Sequence, residues 1–214
     1  MKIAFIGAGR VGAPLAAHLA EAGHTVWLAQ TKDDSKSLDT ALARSLRLSA
    51  RPLDEAIRDA DAVFLAIPFG AHETLLPTIA DALAGKVLVD CTNPVGPGLS
   101  HGLGDRSGSA YVQSLVPGAR VVKAFSIYGF ENFEDPGFPG YGIRPVMLFC
   151  GEDPSAKATV ATFINDCGFE PMDVGGLAQA LHLEHMTLMW VRMVRVDRHS
   201  PHLTWAALRR IKAS

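Results

Sequence analysis

Apolar residues along the chain fall into two alternating patterns. Unbroken apolar runs occur at Lys2 to Ile6, Thr25 to Ala29, Asp61 to Ile67, Lys86 to Asp90, Arg120 to Ala124 and Pro145 to Cys150. Runs of this kind, without alternating polar positions, are expected of strands buried on both faces. Between them, Ala13 to Ala22, Gly70 to Leu83, Ser109 to Val116 and Pro154 to Cys167 carry apolar residues at helical spacing. Shorter segments add a strand at Arg44 to Leu48, a helix at Pro52 to Arg58 and a closing strand at Phe169 to Met172. Strands alternating with helices at this spacing predict a parallel sheet with right-handed crossovers.

Two stretches interrupt the alternation. Residues 95–108 are rich in Gly, Pro and Ser and read as a loop over the active face or a poorly ordered lid, and residues 128–144 are irregular as well. Gly175-Gly176 then breaks the pattern, and the remainder reads as helix. Leu177 to Val196 carries more apolar surface than one face of a surface helix needs, which predicts packing against a second subunit in a homodimer. The expected division is a nucleotide-binding domain over 1–175 and a helical segment over 176–214 that walls the substrate cleft and contacts the partner subunit.

The first strand leads directly into Gly7-Ala8-Gly9-Arg10-Val11-Gly12, a GxGxxG followed by a helix and a second strand. That context makes the motif a dinucleotide fingerprint, and the fold class is α/β, a Rossmann-type doubly wound, mostly parallel sheet with a short C-terminal helical extension. Gly7 permits the tight turn, Gly9 lets a pyrophosphate approach the backbone, and Gly12 lets helix and sheet pack closely. The free N–H groups and dipole of the helix then favour an anion. At the end of the second strand, an NAD site usually carries a carboxylate for the ribose hydroxyls. Here the positions are Gln30, Thr31 and Lys32, which favours NADP(H), while Asp33 and Asp34 come later and suit a helix cap.

Ligands on such sheets bind beyond the carboxyl ends of the strands. Pro68 and Phe69, after Ile67, are expected to wall the adenosine side, and Thr92 and Asn93, before Pro94, to lie near the nicotinamide. A plain turn is the other reading of Thr92-Asn93-Pro94. Hydride transfer between two rings needs no protein nucleophile. A carbonyl or imine substrate would need a proton donor, for which Lys123, His101, His182 and His185 are candidates. Against this, a strand lysine such as Lys123 more often snorkels to water, and His101 could simply be exposed. His182 and His185 could share a helix face, yet no third metal ligand is evident, so no metal site is expected.

Composition narrows the partners. The chain has 214 residues, 48% of them hydrophobic, enough for one substantial core and a small appendage. A net charge of −2 gives no support for nucleic acid or an anionic membrane as partner. No apolar stretch approaches a bilayer span, and Met1-Lys2 runs straight into the first strand, so a cytoplasmic location is expected. Cys91, Cys150 and Cys167 lack metal-ligand spacing and fit reduced thiols, Cys91 being read as a small buried hydrophobe. The basic tail, Arg192 to Lys212, reads as a solvated face, with an anion-binding site for a substrate tail as the sharper alternative.

Gly7 to Gly12, Ile67-Pro68, Asp90 to Pro94, Val121 to Ser126, Cys150 to Asp153, and Asp173 to Leu177 followed by Leu183-Glu184 together resemble the 8-hydroxy-5-deazaflavin:NADPH oxidoreductases, the reductases of coenzyme F-420. The likeness runs from end to end, and its cofactor half is shared with many Rossmann reductases, including the cytosolic domain of six-transmembrane ferric reductases. It implies an NADP(H)-binding enzyme that passes hydride between nicotinamide and a deazaflavin or flavin-like co-substrate. The Gly7-Ala8-Gly9-Arg10 loop departs from the Gly-Thr-Gly-Asn loop of archaeal members, as Gln30, Thr31 and Lys32 depart from their Ser-Arg-Arg. The alternatives are a non-catalytic dinucleotide sensor and a small imine or ketone reductase.

Overall fold

The computed structural model describes residues 1–30 and 36–210. Strand β1 (Lys2–Ile6) is buried from Ile3 onward. Ile3 and Phe5 face one core layer, and Ala4 and Ile6 the other. The remaining strands are β2 (Thr25–Gln30), β3 (Leu48–Pro52), β4 (Ala62–Leu65), β5 (Val87–Asp90), β6 (Arg120–Lys123), β7 (Val146–Gly151) and β8 (Glu170–Asp173). They form an eight-stranded sheet of order β3-β2-β1-β4-β5-β6-β7-β8. Neighbours run parallel except at β6 and β7, which pair antiparallel through Val122 with Gly151 and Lys123 with Cys150. This is the doubly wound, mostly parallel sheet that the strand and helix pattern predicts.

Helices α1 (Gly12–Glu21), α2 (Lys36–Leu42), α3 (Leu53–Asp59), α4 (His72–Leu83), α5 (Gly108–Leu115), α6 (Glu131–Glu134), α7 (Pro154–Asp166) and α8 (Ala180–Val191) make the crossovers and the C-terminal layer. One core layer stacks Phe5 on Phe64 at 4.4 Å and extends through Phe163 of α7 to Leu183 and Trp190 of α8. The other joins Leu65, Leu88 and Val121 to Leu76 of α4 and Val112 of α5. The C-terminal helix therefore shares the core of the first strand.

Three local expectations change. The strand expected at Arg44 to Leu48 is displaced, because Val26 pairs with Leu48 and the ladder runs on to Pro52 while Leu46 is fully exposed. The helix expected from Gly70 starts at His72, after a single 3-10 turn over Phe69–Ala71. Leu177 to Val196 is helical throughout, as expected, but its winding changes along the way. A 3-10 turn (Leu177–Gln179) precedes α8, and one π turn (Arg192–Val196) follows it.

Beyond Val196 the described chain is an irregular strap rather than helix, and buried donors explain its course. The indole Nε1 of Trp190 donates to Leu203 O at 2.7 Å, and Val146 N, at the start of β7, donates to Trp205 O at 2.9 Å. Trp205 N in turn donates to the Tyr128 hydroxyl at 3.1 Å, and that hydroxyl donates to Val146 O. A helix here would leave these groups unpaired.

Candidate active site

Gly7 leaves β1 with φ of 106°, and a Cβ there would lie 2.5 Å from the Ala66 carbonyl oxygen. At Gly12 a Cβ would come within 2.0 Å of the Gly7 carbonyl oxygen, so only glycine lets α1 seat against the turn. Gly9 differs: a Cβ there would meet nothing within 4 Å. The fold itself does not require glycine at this position, and the open space lies where the motif expects a pyrophosphate. Val11 precedes α1 without a side-chain capping bond, and no acidic residue occupies the first turn. Ala13 N donates to Gly9 O at 2.9 Å and Pro14 has no N–H, so the amides of Val11 and Gly12 are the ones left as donors for an anion.

This cradle opens into a cleft of about 300 Å³ lined by Gly7, Ala8, Gly9, Gln30, Ile67 and Pro68, among others. An adjoining cleft of about 280 Å³ is lined by Ala8, Gly9, Arg10, Lys36, Thr40 and Arg44, among others. Arg10 rests over the Phe130 ring at 5.0 Å, and Arg44 is held by Glu134 at 2.6 Å. Open space at Gly9, the amides of Val11 and Gly12, and the nearby cations Arg10 and Lys36 fit a dinucleotide. Thr31 and Lys32 lie outside the described residues.

Phe69 turns toward His72, with ring centroids 4.6 Å apart, and toward Tyr111 at 5.9 Å. A Cβ on Gly108 would touch both Phe69 and Pro94, so these two residues and the start of α5 form one wall. Thr92 follows β5 and is buried; its N–H and hydroxyl donate to Asp90 Oδ1 at 2.9 and 2.6 Å. Its hydroxyl proton is therefore committed inward. The Asn93 amide donates to Ser126 O at 3.1 Å and accepts from the Thr187 hydroxyl at 3.2 Å.

Beneath this turn lies a buried charged cluster. Lys123 does not reach water as strand lysines usually do: it is 0% exposed, as is Asp90, and Glu184 is 1% exposed. Its Nζ lies 3.5 Å from Asp90 Oδ2 and 3.2 Å from Glu184 Oε1, and it donates to Thr92 O. The Ser109 hydroxyl donates to Asp90 Oδ2 at 2.5 Å. Glu184 accepts from Gly108 N at 2.9 Å and Ser109 N at 3.3 Å, at the N-terminus of α5, where the helix dipole favours a carboxylate. Burial alone would raise the Asp90 pKa, but Lys123 and the Ser109 and Thr92 bonds outweigh it and hold it below the usual range. Burial likewise opposes the Lys123 charge, and Asp90 with Glu184 overcome it and raise that pKa.

His101 is likewise not simply exposed. Its side chain is 5% exposed, and Nε2 donates to Glu184 Oε2 at 2.7 Å. Leu103 N points at its Nδ1 from 3.3 Å, which selects the neutral Nε2–H tautomer. The loop over 95–107 is thereby latched to α8, with a Val95 to His101 bridge closing it. His182 and His185 are both exposed on α8, and His185 Nδ1 donates to Leu181 O. Among the described residues no group of His, Cys, Asp or Glu is arranged to hold a metal. Burial raises the Cys91 pKa well above that of a free thiol and pushes Cys150 to about 12.

The sequence singles out Lys123, His101 and Thr92 but gives Asp90 and Glu184 no role. Asp90 and Lys123 face each other in the β5 and β6 register, a signal present in two charged residues ending adjacent apolar runs. Glu184 stands alone among Leu183, Thr187 and Leu188 on the buried face of α8. His72, fully buried with both ring nitrogens unpaired among the described residues, and Ser126, whose hydroxyl is likewise unpaired, gave no pattern in sequence.

Sheet order, glycine cradle and the cleft beside it are those of a dinucleotide-binding fold. Residues 2–94 match the model of a family described as coenzyme F420-dependent NADP oxidoreductases. It is 25% identical over 206 residues to the F420-dependent NADP reductase of Methanocaldococcus jannaschii, covering 87% of this chain and 89% of that one. It is 32% identical over 189 residues to Metalloreductase STEAP3 of Rattus norvegicus, covering 87% of this chain but only 36% of that protein. A crystal structure from Arthrobacter sp. FB24, 26% identical, superposes with a TM-score of 0.81 over 92% of this chain and 95% of the other. No helix among the described residues is long and apolar enough to cross a membrane.

Proposed function

We propose that the chain is an NADP(H)-dependent oxidoreductase moving hydride between nicotinamide and a deazaflavin or flavin-like ring. The observation that carries this reading is the open cradle at Gly9, a glycine the fold does not otherwise need, set at the amides of Val11 and Gly12 in a chain whose residues 2–94 match a family of NADP oxidoreductases. Bound NADPH supplies the hydride. Gly7 to Gly12 hold the diphosphate, Gln30 and Lys32 the adenosine ribose end, Ile67 and Pro68 line the channel, and Asn93 meets the nicotinamide. Lys36, beside Arg10, adds positive charge that suits a 2′-phosphate, whereas the Arg44 charge is matched by Glu134. Lys32→Ala is expected to weaken NADPH binding more than NADH binding.

The sealed state of Lys123 favours ring-to-ring transfer over an imine or ketone reductase. Its ammonium is fully enclosed and bonded to Asp90, Glu184 and Thr92, and His101 is spent on Glu184. Two rings held face to face at about 3–3.5 Å need neither as proton donor. The test mixes purified protein with NADPH and, separately, a deazaflavin, FMN and a ferric chelate, and follows the nicotinamide absorbance. Oxidation with a ring acceptor is the expected result. Tight NADPH binding with no oxidation of any acceptor would instead identify a dinucleotide sensor.

A further inference from the structure

The buried cluster under Thr92 is not electrically balanced. Asp90 and Glu184 are carboxylates, since every contact they make in the cluster comes from a donor. Lys123 supplies one positive charge against these two. His101 adds none, because Leu103 N occupies the side of its ring that a second proton would need. Burial lowers the His72 pKa, with Lys123 adding to the effect against Asp90, and burial keeps Cys91 and Cys150 as thiols. One negative charge remains, enclosed where water cannot screen it, and Lys123 Nζ touches the backbone of the turn that carries Asn93.

We propose that this uncompensated carboxylate charge, shared by Asp90 and Glu184, makes the site bind oxidised nicotinamide more tightly relative to reduced nicotinamide, poising it to release hydride from NADPH. The inference rests on the reading of Asn93 as the nicotinamide end of the site. When a hydride, one proton with two electrons, leaves C4 of the reduced ring for the acceptor ring, the nicotinamide passes from neutral to singly positive. A fixed negative charge under the turn would stabilise that product, by roughly tenfold in relative affinity, the scale of a unit-charge interaction at an effective dielectric near 20. Glu184 acts through the field and through the turn it supports, so it is a positioning residue.

The test is a pair of fluorescence titrations, with NADP+ and with NADPH, on the wild-type protein and on Glu184→Gln. The wild type is expected to bind NADP+ more tightly than NADPH. The variant is expected to raise the ratio of the NADP+ to the NADPH dissociation constant about tenfold. Asp90→Asn, which removes the other carboxylate, should move the ratio the same way and decides the matter if Glu184→Gln fails to fold. A structural role alone would weaken both nucleotides equally, so an unchanged ratio overturns the proposal, as does a wild type that prefers NADPH. A wild type that binds neither nucleotide removes the dinucleotide reading as well, which separates the two failures.

Discussion

Gly9 and Gly12 belong to one motif yet answer to different constraints. Gly12→Ala would drive its methyl into the Gly7 carbonyl, 2.0 Å away, and is expected to cost about 1–3 kcal/mol or more in urea denaturation. Gly9→Ala meets open space and should leave the denaturation midpoint unchanged while weakening NADPH binding. Lys123→Met would strand Asp90 and Glu184 and should destabilise the fold by about 3–5 kcal/mol. The titrating groups act in separate windows. The folded pKa of Asp90 is depressed, so its contribution is complete above the unfolded value of 3.8 and is lost as pH falls through the folded value. His72, also depressed, contributes fully above 6.5 and loses that contribution as the pH drops below it. Replacing His72 with Phe should therefore flatten the stability loss between pH 6.5 and the acid limb, and an unchanged pH profile would count against a buried neutral imidazole.

The elements divide by what wrote them into the sequence. Strands buried on both faces announce themselves through continuous apolar runs, which is why β1, β4, β5, β6 and β7 were legible. β3 was not, because Ser49 and Arg51 leave it half polar at the sheet edge, and the neighbouring Arg44 to Leu48 imitates its pattern. The glycine turn after β1 was legible for a local reason, its residues being contiguous. The cluster was hidden because Asp90, His101, Ser109, Lys123 and Glu184 meet only through tertiary packing. The C-terminal strap was hidden too, since hydrogen bonds to Val146, Trp190 and Tyr128, distant in sequence, set its course. Truncation after Ser200 removes the acceptor of Val146 N, so that amide should exchange with deuterium faster while amides of β1 remain protected. Equal exchange at Val146 in the full and truncated chains would show that the strap does not anchor β7.

Across the molecule, the sheet order places the ends of β1, β2 and β4 around the cradle and the ends of β5 and β6 over the charged cluster. The proposed site thus has one end built from bare backbone and a far end built on enclosed charge. A ligand that binds only the folded state raises its stability, by about 2.7 kcal/mol at a hundredfold excess over the dissociation constant. NADPH should accordingly raise the melting temperature in a concentration-dependent way, and the tail beyond Arg192 need not contribute for that shift to appear.

The most direct test of the account is NADPH binding by the wild-type chain and by Gly9→Asp, measured by nicotinamide fluorescence alongside circular dichroism. A carboxylate at that position would face the diphosphate without disturbing packed atoms. The account predicts saturable binding by the wild type and none by a variant whose spectrum and melting temperature are unchanged. Equal affinity in the two folded proteins would contradict it.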